Sequence, residues 1–375
     1  MNSGRMWPRA TRPDRVSETD WNDWRWQMRN RITDPAELAV FLGAGNEQAR
    51  EIAVAAQRFP LAVTPCYASL IDLDDPACPI RAQVVPSVRE LTDPRGMPDP
   101  LDEVSQSPVP GVVQIYPDRV AFLVSGQCAS LCRFCYRKRL FDPDAVPRDS
   151  ADIEAGLDYI REHPEIRDVL VTGGDPLTAS DEWLHGLLSG IRAIPHVEII
   201  RIGTRTPVTL PQRITPELCD TLAEFHPIWL NTQFNHPREL TDEAATAVDR
   251  LTRAGIPVGN QSVLLQGIND SPEVMRKLVH GLVRMRVRPY YVFLCHLVSG
   301  TSHFRTTVEK GVEIARSLRG HTSGIANPLF ILDTPHGKVP IMPGRGITGR
   351  DNDGVDVETW NGHTWREWNP VDIQE

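Results

Sequence analysis

The segment SGQCASLCRFCYRKR, residues 125–139, determines how the rest of the sequence is interpreted. Its three cysteines, Cys128, Cys132 and Cys135, lie within eight residues, and they follow an apolar run, RVAFLVS, that ends at Ser125. Short apolar runs of this kind are typical of buried strands. The segment is therefore predicted to be a loop at the carboxyl end of a strand, with three thiols close together.

Further apolar runs follow RVAFLVS along the chain, with helical patterns between them. They recur at intervals of roughly 30 residues, which is the length of one strand–helix unit. The runs are RDVLVTG, VEIIRIG, PIWLNTQ, IPVGNQSVLL, RPYYVFLC and PLFILD. Repeated units of this kind favour a (βα) barrel, complete or partial, over an open sheet. The fold class is therefore predicted to be α/β.

The barrel pattern occupies only the middle of the chain. Residues 1–110 are rich in Pro, Asp and Trp and are predicted to form a mostly helical or irregular N-terminal region. Residues 111–333 carry the barrel pattern, and residues 334–375 are predicted to form a short C-terminal extension. Active sites of (βα) barrels lie at the carboxyl ends of the strands. The polar clusters TGGDP and CHLVSG follow predicted strands and are therefore expected at that end.

Composition and charge exclude several classes of protein. Of the 375 residues, 41% are hydrophobic and 24% are charged, which is ordinary for a globular protein. The net charge of −9 gives no basic surface for nucleic acid or an anionic membrane. The N-terminus lacks the apolar core of a secretory signal, and no apolar run approaches the ~20 residues of a spanning helix. We therefore expect a cytoplasmic protein without nucleic-acid or membrane partners.

The spacing of Cys128, Cys132 and Cys135 suits an iron–sulfur cluster. Three thiolates separated by three and then two residues can ligate three irons of one [4Fe–4S] cubane, which leaves the fourth iron open to a small molecule. Structural zinc usually takes four ligands from paired motifs, and no second pair is present. An open iron is also poorly suited to simple electron transfer. The other cysteines are predicted to be small buried side chains: Cys66, Cys78, Cys219 and Cys295.

The cysteine segment, with the aromatic Phe134 just before its last cysteine, resembles the cluster loop of the radical-SAM superfamily, whose members cleave S-adenosylmethionine (SAM). The run TGGDP, one strand–helix unit later, resembles the superfamily's glycine-rich motif. On its own, Gly-Gly-Asp-Pro is also an ordinary turn. The resemblance implies that the backbone of this run meets the methionine amino group of SAM, so Gly173, Gly174 and Asp175 are expected among the cofactor-binding residues.

The resemblance extends over nearly the whole chain to the lysine 2,3-aminomutase family. Matching segments include NTQFNHPREL, GNQSVLLQGIND, HFRTTVEKG and DTPHGKVPIMP. The family binds pyridoxal 5′-phosphate (PLP) through a lysine near the C-terminus, and by resemblance that lysine is Lys338, in HGKVP. Arg119 matches the family's arginine at the PLP phosphate, with a strand-end salt bridge as the alternative. Gln261, in GNQS, is also expected to bind a cofactor.

The resemblance implies an isomerase that moves the α-amino group of an amino acid to its β-carbon. The reduced cluster would give an electron to SAM, and the resulting radical would remove the β-hydrogen of a substrate held by PLP. A reducing electron donor such as flavodoxin or ferredoxin is therefore expected. A radical-SAM mutase that works without PLP remains an alternative.

The residues expected at the substrate leave its identity open. Arg137 matches the arginine that binds the substrate carboxylate, a task suited to a planar guanidinium; Lys138 and Arg139 are equally consistent with a solvated surface. Lysine-specific members hold the ε-ammonium with two aspartates, of which Asp333 matches one and His296 replaces the other. Conversion of L-lysine to β-lysine is the first expectation, with arginine and glutamate as alternatives.

Zinc is expected to be absent. Well-known family members carry a C-terminal cysteine cluster that binds zinc between subunits. This chain has no cysteine after Cys295, and Ser271 stands where an upstream zinc ligand would be. Any homo-oligomer is therefore expected to form without a bridging zinc ion.

Overall fold

The computed structural model describes residues 10–93, 95–141, 150–341 and 346–368. Parts of the two expected terminal regions lie outside the described residues: 1–9, 94, 342–345 and 369–375. No helix in the described ranges is long and apolar enough to cross a membrane.

Short helices dominate the N-terminal region. They are α1 (Glu18–Asn22), α2 (Trp24–Arg29), α3 (Pro35–Phe41), α4 (Asn46–Arg58), α5 (Pro65–Ala68) and α6 (Pro79–Val84). Asp23 has an extended backbone, so it ends α1, and its side chain accepts a hydrogen bond from Arg25 N at the start of α2. An aspartate in this position satisfies a free N–H at the beginning of a helix. The stretch WNDWRWQMRNRI therefore forms two helices rather than one.

The described residues form a sheet of nine strands that lie in chain order. The strands are β1 (Val112–Tyr116), β2 (Arg119–Ser125), β3 (Asp168–Gly173), β4 (Ile199–Gly203), β5 (Ile228–Thr232), β6 (Val258–Leu264), β7 (Arg288–Leu294), β8 (Leu329–Thr334) and β9 (Gly337–Pro340). Strands β2 to β8 are parallel, and β1 and β9 pair antiparallel with them at the two edges. The predicted partial (βα) barrel is confirmed.

Helices cross between the parallel strands and cover the outside of the sheet. They are α7 (Ser150–Glu162), α8 (Asp181–Arg192), the single turn α9 (Thr206–Thr209), α10 (Pro216–Ala223), α11 (Asp242–Arg253), α12 (Pro272–Arg284) and α13 (Val308–Leu318). In α11 the buried residues Ala244, Ala247, Val248 and Leu251 form one apolar stripe at helical spacing. Ser271 caps α12 by accepting a hydrogen bond from Val274 N.

The N-terminal region holds the cysteine loop in place. Leu131 N donates to the carbonyl of Ala62, and Arg133 N donates to the carbonyl of Gln83. The side chain of Arg31 donates to the carbonyl of Cys128 at 2.6 Å. These contacts satisfy polar backbone groups of a loop that lacks sheet or helix hydrogen bonds of its own.

The first residues of the expected C-terminal extension form the last strand of the nine-stranded sheet, and later residues form a second sheet. Strand β9 pairs with β8, and Lys338 lies opposite Asp333 in that register. The boundary expected at residue 334 therefore falls inside a hairpin. Three further strands form a separate antiparallel sheet: β10 (Ile347–Arg350), β11 (Gly354–Glu358) and β12 (Thr364–Trp368).

Candidate active site

One cavity of about 650 Å³ lies inside the partial barrel. Its lining includes every residue that the sequence predicts for the site: Arg119, Cys128, Cys132, Cys135, Arg137, Gly173, Gly174, Asp175, Gln261, His296, Asp333 and Lys338. Because parallel strands all end on the same side, residues from distant parts of the chain meet here. Arg119 begins β2, so the cavity also reaches the opposite strand ends, where the sequence analysis did not place the site.

The three loop thiols suit a cluster better than a single metal ion. Cys128, Cys132 and Cys135 are all free and line the same cavity. Burial raises the pKa of Cys135 to about 11, and the neighbouring Cys132 adds to the shift. No three His, Cys, Asp or Glu side chains among the described residues are arranged to hold one ion. A cubane holds each thiolate on a different iron, so its ligands need not converge on one point.

Buried ion pairs anchor the cysteine loop. Arg133, which is fully buried, pairs with both carboxylate oxygens of Glu90 at 2.9 and 2.7 Å. Lys138 donates to the same carboxylate at 2.8 Å. Burial alone would raise the pKa of Glu90, but these two cations outweigh it and lower the pKa. The prediction that Lys138 could be a solvated side chain is therefore wrong, because Lys138 pairs with a buried acid next to the loop.

The glycines of TGGDP allow two loops to approach closely. Gly173 has a φ of +125°, a conformation that L side chains rarely adopt. Gly174 N donates to the carbonyl of Ser125, and a Cβ on Gly174 would lie 2.5 Å from the Gln127 carbonyl oxygen. The glycine-rich turn thus lies directly against the start of the cysteine loop.

Asp175 organises the next loop of the barrel. Its buried carboxylate accepts hydrogen bonds from Thr204 Oγ1 at 2.6 Å and from Arg205 N at 2.7 Å. Burial raises the pKa of Asp175, although these hydrogen bonds oppose the shift. The carboxylate is thus occupied within the protein, and contact between Asp175 and a cofactor stays a prediction.

Arg137 is held by an acid that the sequence analysis did not identify. Glu103 accepts from Arg137 Nε and Nη2 at 2.8–3.1 Å, and Arg137 Nη1 contacts Thr172 Oγ1 at 3.3 Å. Two of the five guanidinium hydrogens remain for another acceptor. Arg139 also donates to Glu103, at 2.7 Å, so it is not simply solvated. Burial alone would raise the pKa of Glu103, but the two arginines lower it to about 2.

His296 and Asp333 meet at another part of the cavity wall. His296 Nε2 lies 3.6 Å from Asp333 Oδ2, and each side chain is 9% exposed. The imidazole stacks on Tyr136, with ring centroids 4.9 Å apart. His296 Nε2 and Asp333 Oδ1 are buried without a hydrogen-bond partner. Buried polar atoms are normally paired, so these two are available to a ligand.

Lys338 lies beside the same aspartate and close to the opposite edge of the sheet. Its Nζ is 3.7 Å from Asp333 Oδ2, and its backbone N donates to Tyr116 OH at 2.8 Å. Gly337 has a φ of +120°, and a Cβ there would lie 2.9 Å from the Tyr116 hydroxyl. Glycine is therefore needed for β9 to approach β1 this closely.

Arg119 and Gln261 complete the set of predicted residues. The Arg119 guanidinium stacks on the Tyr116 ring at 3.7 Å and pairs with Asp118 at 2.7 Å. The salt bridge named as the alternative for Arg119 is therefore present, and contact with a phosphate stays a prediction. Gln261 follows an irregularity in the β6–β7 register and lines the cavity.

Sequence reasoning missed Glu103, Tyr116 and Arg205, which all line the cavity. Tyr116 lies three residues before Arg119, in the segment YPDR, so its closeness to a predicted site residue offered a signal for it. Arg205, in GTRTP, follows a predicted strand and could have been chosen on position alone. Glu103 lies in an irregular segment, and nothing in its local sequence distinguishes it from other acids.

Comparison with known proteins identifies relatives of the chain. A model of the Radical SAM superfamily matches residues 122–279. The L-lysine 2,3-aminomutase of Fusobacterium nucleatum is 50% identical over 333 residues, which cover 88% of this chain and 78% of that protein. The enzyme of that name from Clostridium subterminale is 49% identical over 92% of this chain and 84% of that protein. A glutamate 2,3-aminomutase of Clostridioides difficile is 44% identical over 92% and 82%.

The superfamily match includes the cysteine loop, and these relatives align with 88% or more of the chain, in agreement with the resemblance inferred from the motifs. At this level of identity over most of both proteins, the chain belongs to the radical SAM superfamily and, within it, to the lysine 2,3-aminomutase family.

Proposed function

We propose that this protein is a SAM- and PLP-dependent 2,3-aminomutase that converts L-lysine to β-lysine. The observation that carries the proposal is that one cavity contains the three clustered thiols, Arg137 and Lys338. Radical chemistry on an amino acid needs these groups in one enclosed space, because the radical must reach its target before it meets solvent.

The residues of the cavity suit the cofactors of this family. A bound [4Fe–4S] cluster with SAM supplies the radical that removes hydrogen from the substrate, and PLP supplies the conjugated system across which the amino group moves. Cys128, Cys132 and Cys135 would hold the cluster. The glycines of TGGDP together with Gln261 would contact SAM, Lys338 would hold PLP, and Arg119 would lie near its phosphate.

Arg137 is suited to orient the substrate. Its Nε–Nη2 edge is occupied by Glu103, which fixes the plane of the guanidinium. The two free hydrogens, one on Nη1 and one on Nη2, suit a carboxylate. Held in this way, the substrate would keep its β-carbon in one place while its amino group moves, and such positioning is a large part of catalysis.

The distal end of the substrate would lie at His296 and Asp333. A neutral imidazole accepts a hydrogen bond through its unprotonated nitrogen, and Asp333 supplies the negative charge for an ε-ammonium. The pair has one carboxylate, which also suits a guanidinium because that group has several donors. The same amino migration on arginine is therefore the second candidate. Glutamate fits less well, since its carboxylate would lie against Asp333.

A radical SAM enzyme needs an external reductant for its cluster. We propose a small low-potential electron carrier such as flavodoxin or ferredoxin for this role. The donor can be tested by replacing a chemical reductant with each carrier and measuring the rate of 5′-deoxyadenosine formation.

The substrate is tested by product analysis. The protein is reconstituted anaerobically with iron, sulfide and PLP and incubated with SAM, a reductant and lysine, arginine or glutamate separately. We expect β-lysine as the main product by mass spectrometry, and Lys338→Ala should yield none. If arginine is converted and lysine is not, the second candidate replaces the first. If no amino acid is isomerised, the proposed function is wrong.

A further inference from the structure

Arg205 makes a direct contact with one of the three loop thiols. It follows strand β4, and its Nη1 donates to Sγ of Cys132 at 2.7 Å. The residue is only 8% exposed. Arg205 takes no part in the reaction proposed above, although burying a cation costs free energy unless the cation is paired and hydrogen-bonded.

The orientation of Arg205 is fixed by groups other than the thiol. Its Nε donates to the carbonyl of Gln233 at 3.1 Å. Its Nη2 donates to Glu239 at 2.8 Å and to Gln83 at 2.6 Å. These partners come from the barrel and from the N-terminal region, and they leave Nη1 directed at Cys132. The contact with Cys132 is therefore part of a hydrogen-bond network that fixes the Arg205 side chain.

The guanidinium remains charged in this setting. A guanidinium keeps its proton in proteins, and the carboxylate of Glu239 lies 2.8 Å from Arg205 as a counter-charge. The ring of Phe134, in the cysteine loop, also lies 5.3 Å from the guanidinium carbon. A hydrogen bond from a charged donor is stronger than one between neutral groups.

We propose that Arg205 is a positioning residue that sets the reduction potential of the cluster through its charged hydrogen bond to the Cys132 sulfur. Reduction adds one electron from an external donor to the cluster and breaks no bond. The added negative charge spreads onto the ligating sulfurs, so a donor at one sulfur stabilises the reduced state more than the oxidised state. Hydrogen bonds to sulfur are among the factors that set these potentials. The inference rests on the proposed cluster at Cys128, Cys132 and Cys135.

Other cations in or beside the cysteine loop donate to oxygen acceptors: Arg31 to the Cys128 carbonyl and Arg133 to Glu90. Lys138 donates to Glu90, and Arg137 donates to Glu103. Arg205 also has an acidic partner, because its Nη2 donates to Glu239. Its other terminal nitrogen, Nη1, donates to Sγ of Cys132. Lysine at this position would keep the charge and lose the fork, so it cannot contact Glu239 and Cys132 in the same fixed way.

The test is a redox titration of the full-length protein with its cluster reconstituted and without SAM. The midpoint is followed by electron paramagnetic resonance for wild type, Arg205→Gln, Arg205→Lys and Arg213→Lys. Arg213 is a matched control, because it is fully buried and pairs with Asp181, not with a loop cysteine. We expect a more negative midpoint for Arg205→Gln, a smaller shift for Arg205→Lys and no shift for Arg213→Lys.

Iron and sulfide content separates this inference from the proposed function. If wild type takes up no cluster, the proposed function fails. If the Arg205 variants hold a full cluster that titrates at the wild-type midpoint, the inference about Arg205 is overturned. If both Arg205 variants lose the cluster while Arg213→Lys keeps it, Arg205 is needed for assembly, and the proposal that it sets the potential is equally overturned.

Discussion

Among the single residues, Lys338 gives the most specific prediction about a cofactor, namely that PLP is attached to it. Borohydride makes the link between PLP and its lysine permanent, and peptide mapping should then place the adduct on Lys338. Lys310 pairs with Glu313 on the surface of α13, so Lys310→Ala is a control that should keep the adduct. Lys338→Ala should still cleave SAM slowly, because the cluster chemistry does not involve PLP. An adduct on a different lysine would contradict the assignment.

His296 and Asp333 are predicted to contact the substrate side chain and to determine which amino acid is accepted. For a cationic substrate, Asp333→Asn would leave a buried cation unpaired, at a cost of ~3–5 kcal/mol. That cost corresponds to a loss of roughly a hundredfold or more in kcat/KM for lysine. His296→Asp should raise kcat/KM for lysine relative to glutamate. The measurement is kcat/KM for lysine, arginine and glutamate in each variant. Preferences that do not change with either substitution would place the side-chain pocket elsewhere.

The sequence could identify some of these residues and not others, for a physical reason. Cys128, Cys132 and Cys135 form a local pattern, and Lys338 lies in a recognisable motif. Both can therefore be identified from the sequence alone. Glu103 acts through Arg137, which lies 34 positions away, and only folding shows that pairing.

At the scale of structural elements, Glu103 connects the segment before β1 to the cysteine loop. Glu103→Gln would leave Arg137 and Arg139 without their shared counter-charge in a buried site, which typically costs ~3–5 kcal/mol. The midpoint temperature of unfolding should therefore fall clearly. Glu198→Gln is the control, because the pair of Glu198 with Arg167 is exposed, and it should change little. Equal midpoints for Glu103→Gln and wild type would show that this pair does not stabilise the fold.

The lowered pKa of Glu103 predicts how the stability of the folded protein depends on pH. The pKa of Glu103 is lowered from 4.5 to about 2, so the folded state favours the charged form. Its contribution is fully present above pH 4.5 and is lost as the pH falls toward 2. The difference in unfolding temperature between wild type and Glu103→Gln should therefore narrow over that range. Circular dichroism of the cluster-free protein measures it, and a constant difference would contradict the assignment.

The elements themselves were only partly predictable. The seven apolar runs became β2 to β8, because buried parallel strands are apolar on both faces. Helix α10 is hard to predict from the sequence, because its eight residues make too few turns to show a clear apolar period. The partner of β9 could not be inferred either, because its four residues include exposed positions and the pairing depends on β8.

At the scale of the whole molecule, zinc content tests how this chain differs from well-known family members. Ser271 caps α12, a role that serine fills well and that requires no metal. Purified protein is expected to contain far less than one zinc per chain by metal analysis. About one tightly held zinc per chain would contradict this expectation and would point to ligands outside the family's usual positions.

The proposed reaction moves an amino group within one amino acid. The most direct test is an anaerobic incubation of the reconstituted protein with SAM, a reductant and lysine labelled with ¹⁵N only at the α-amino group. We predict β-lysine with the label on its β-nitrogen, located by fragmentation in the mass spectrometer, and no such product from the triple variant Cys128→Ala/Cys132→Ala/Cys135→Ala. Recovery of lysine with its label unmoved, while SAM is cleaved to 5′-deoxyadenosine, would contradict the proposed function on lysine.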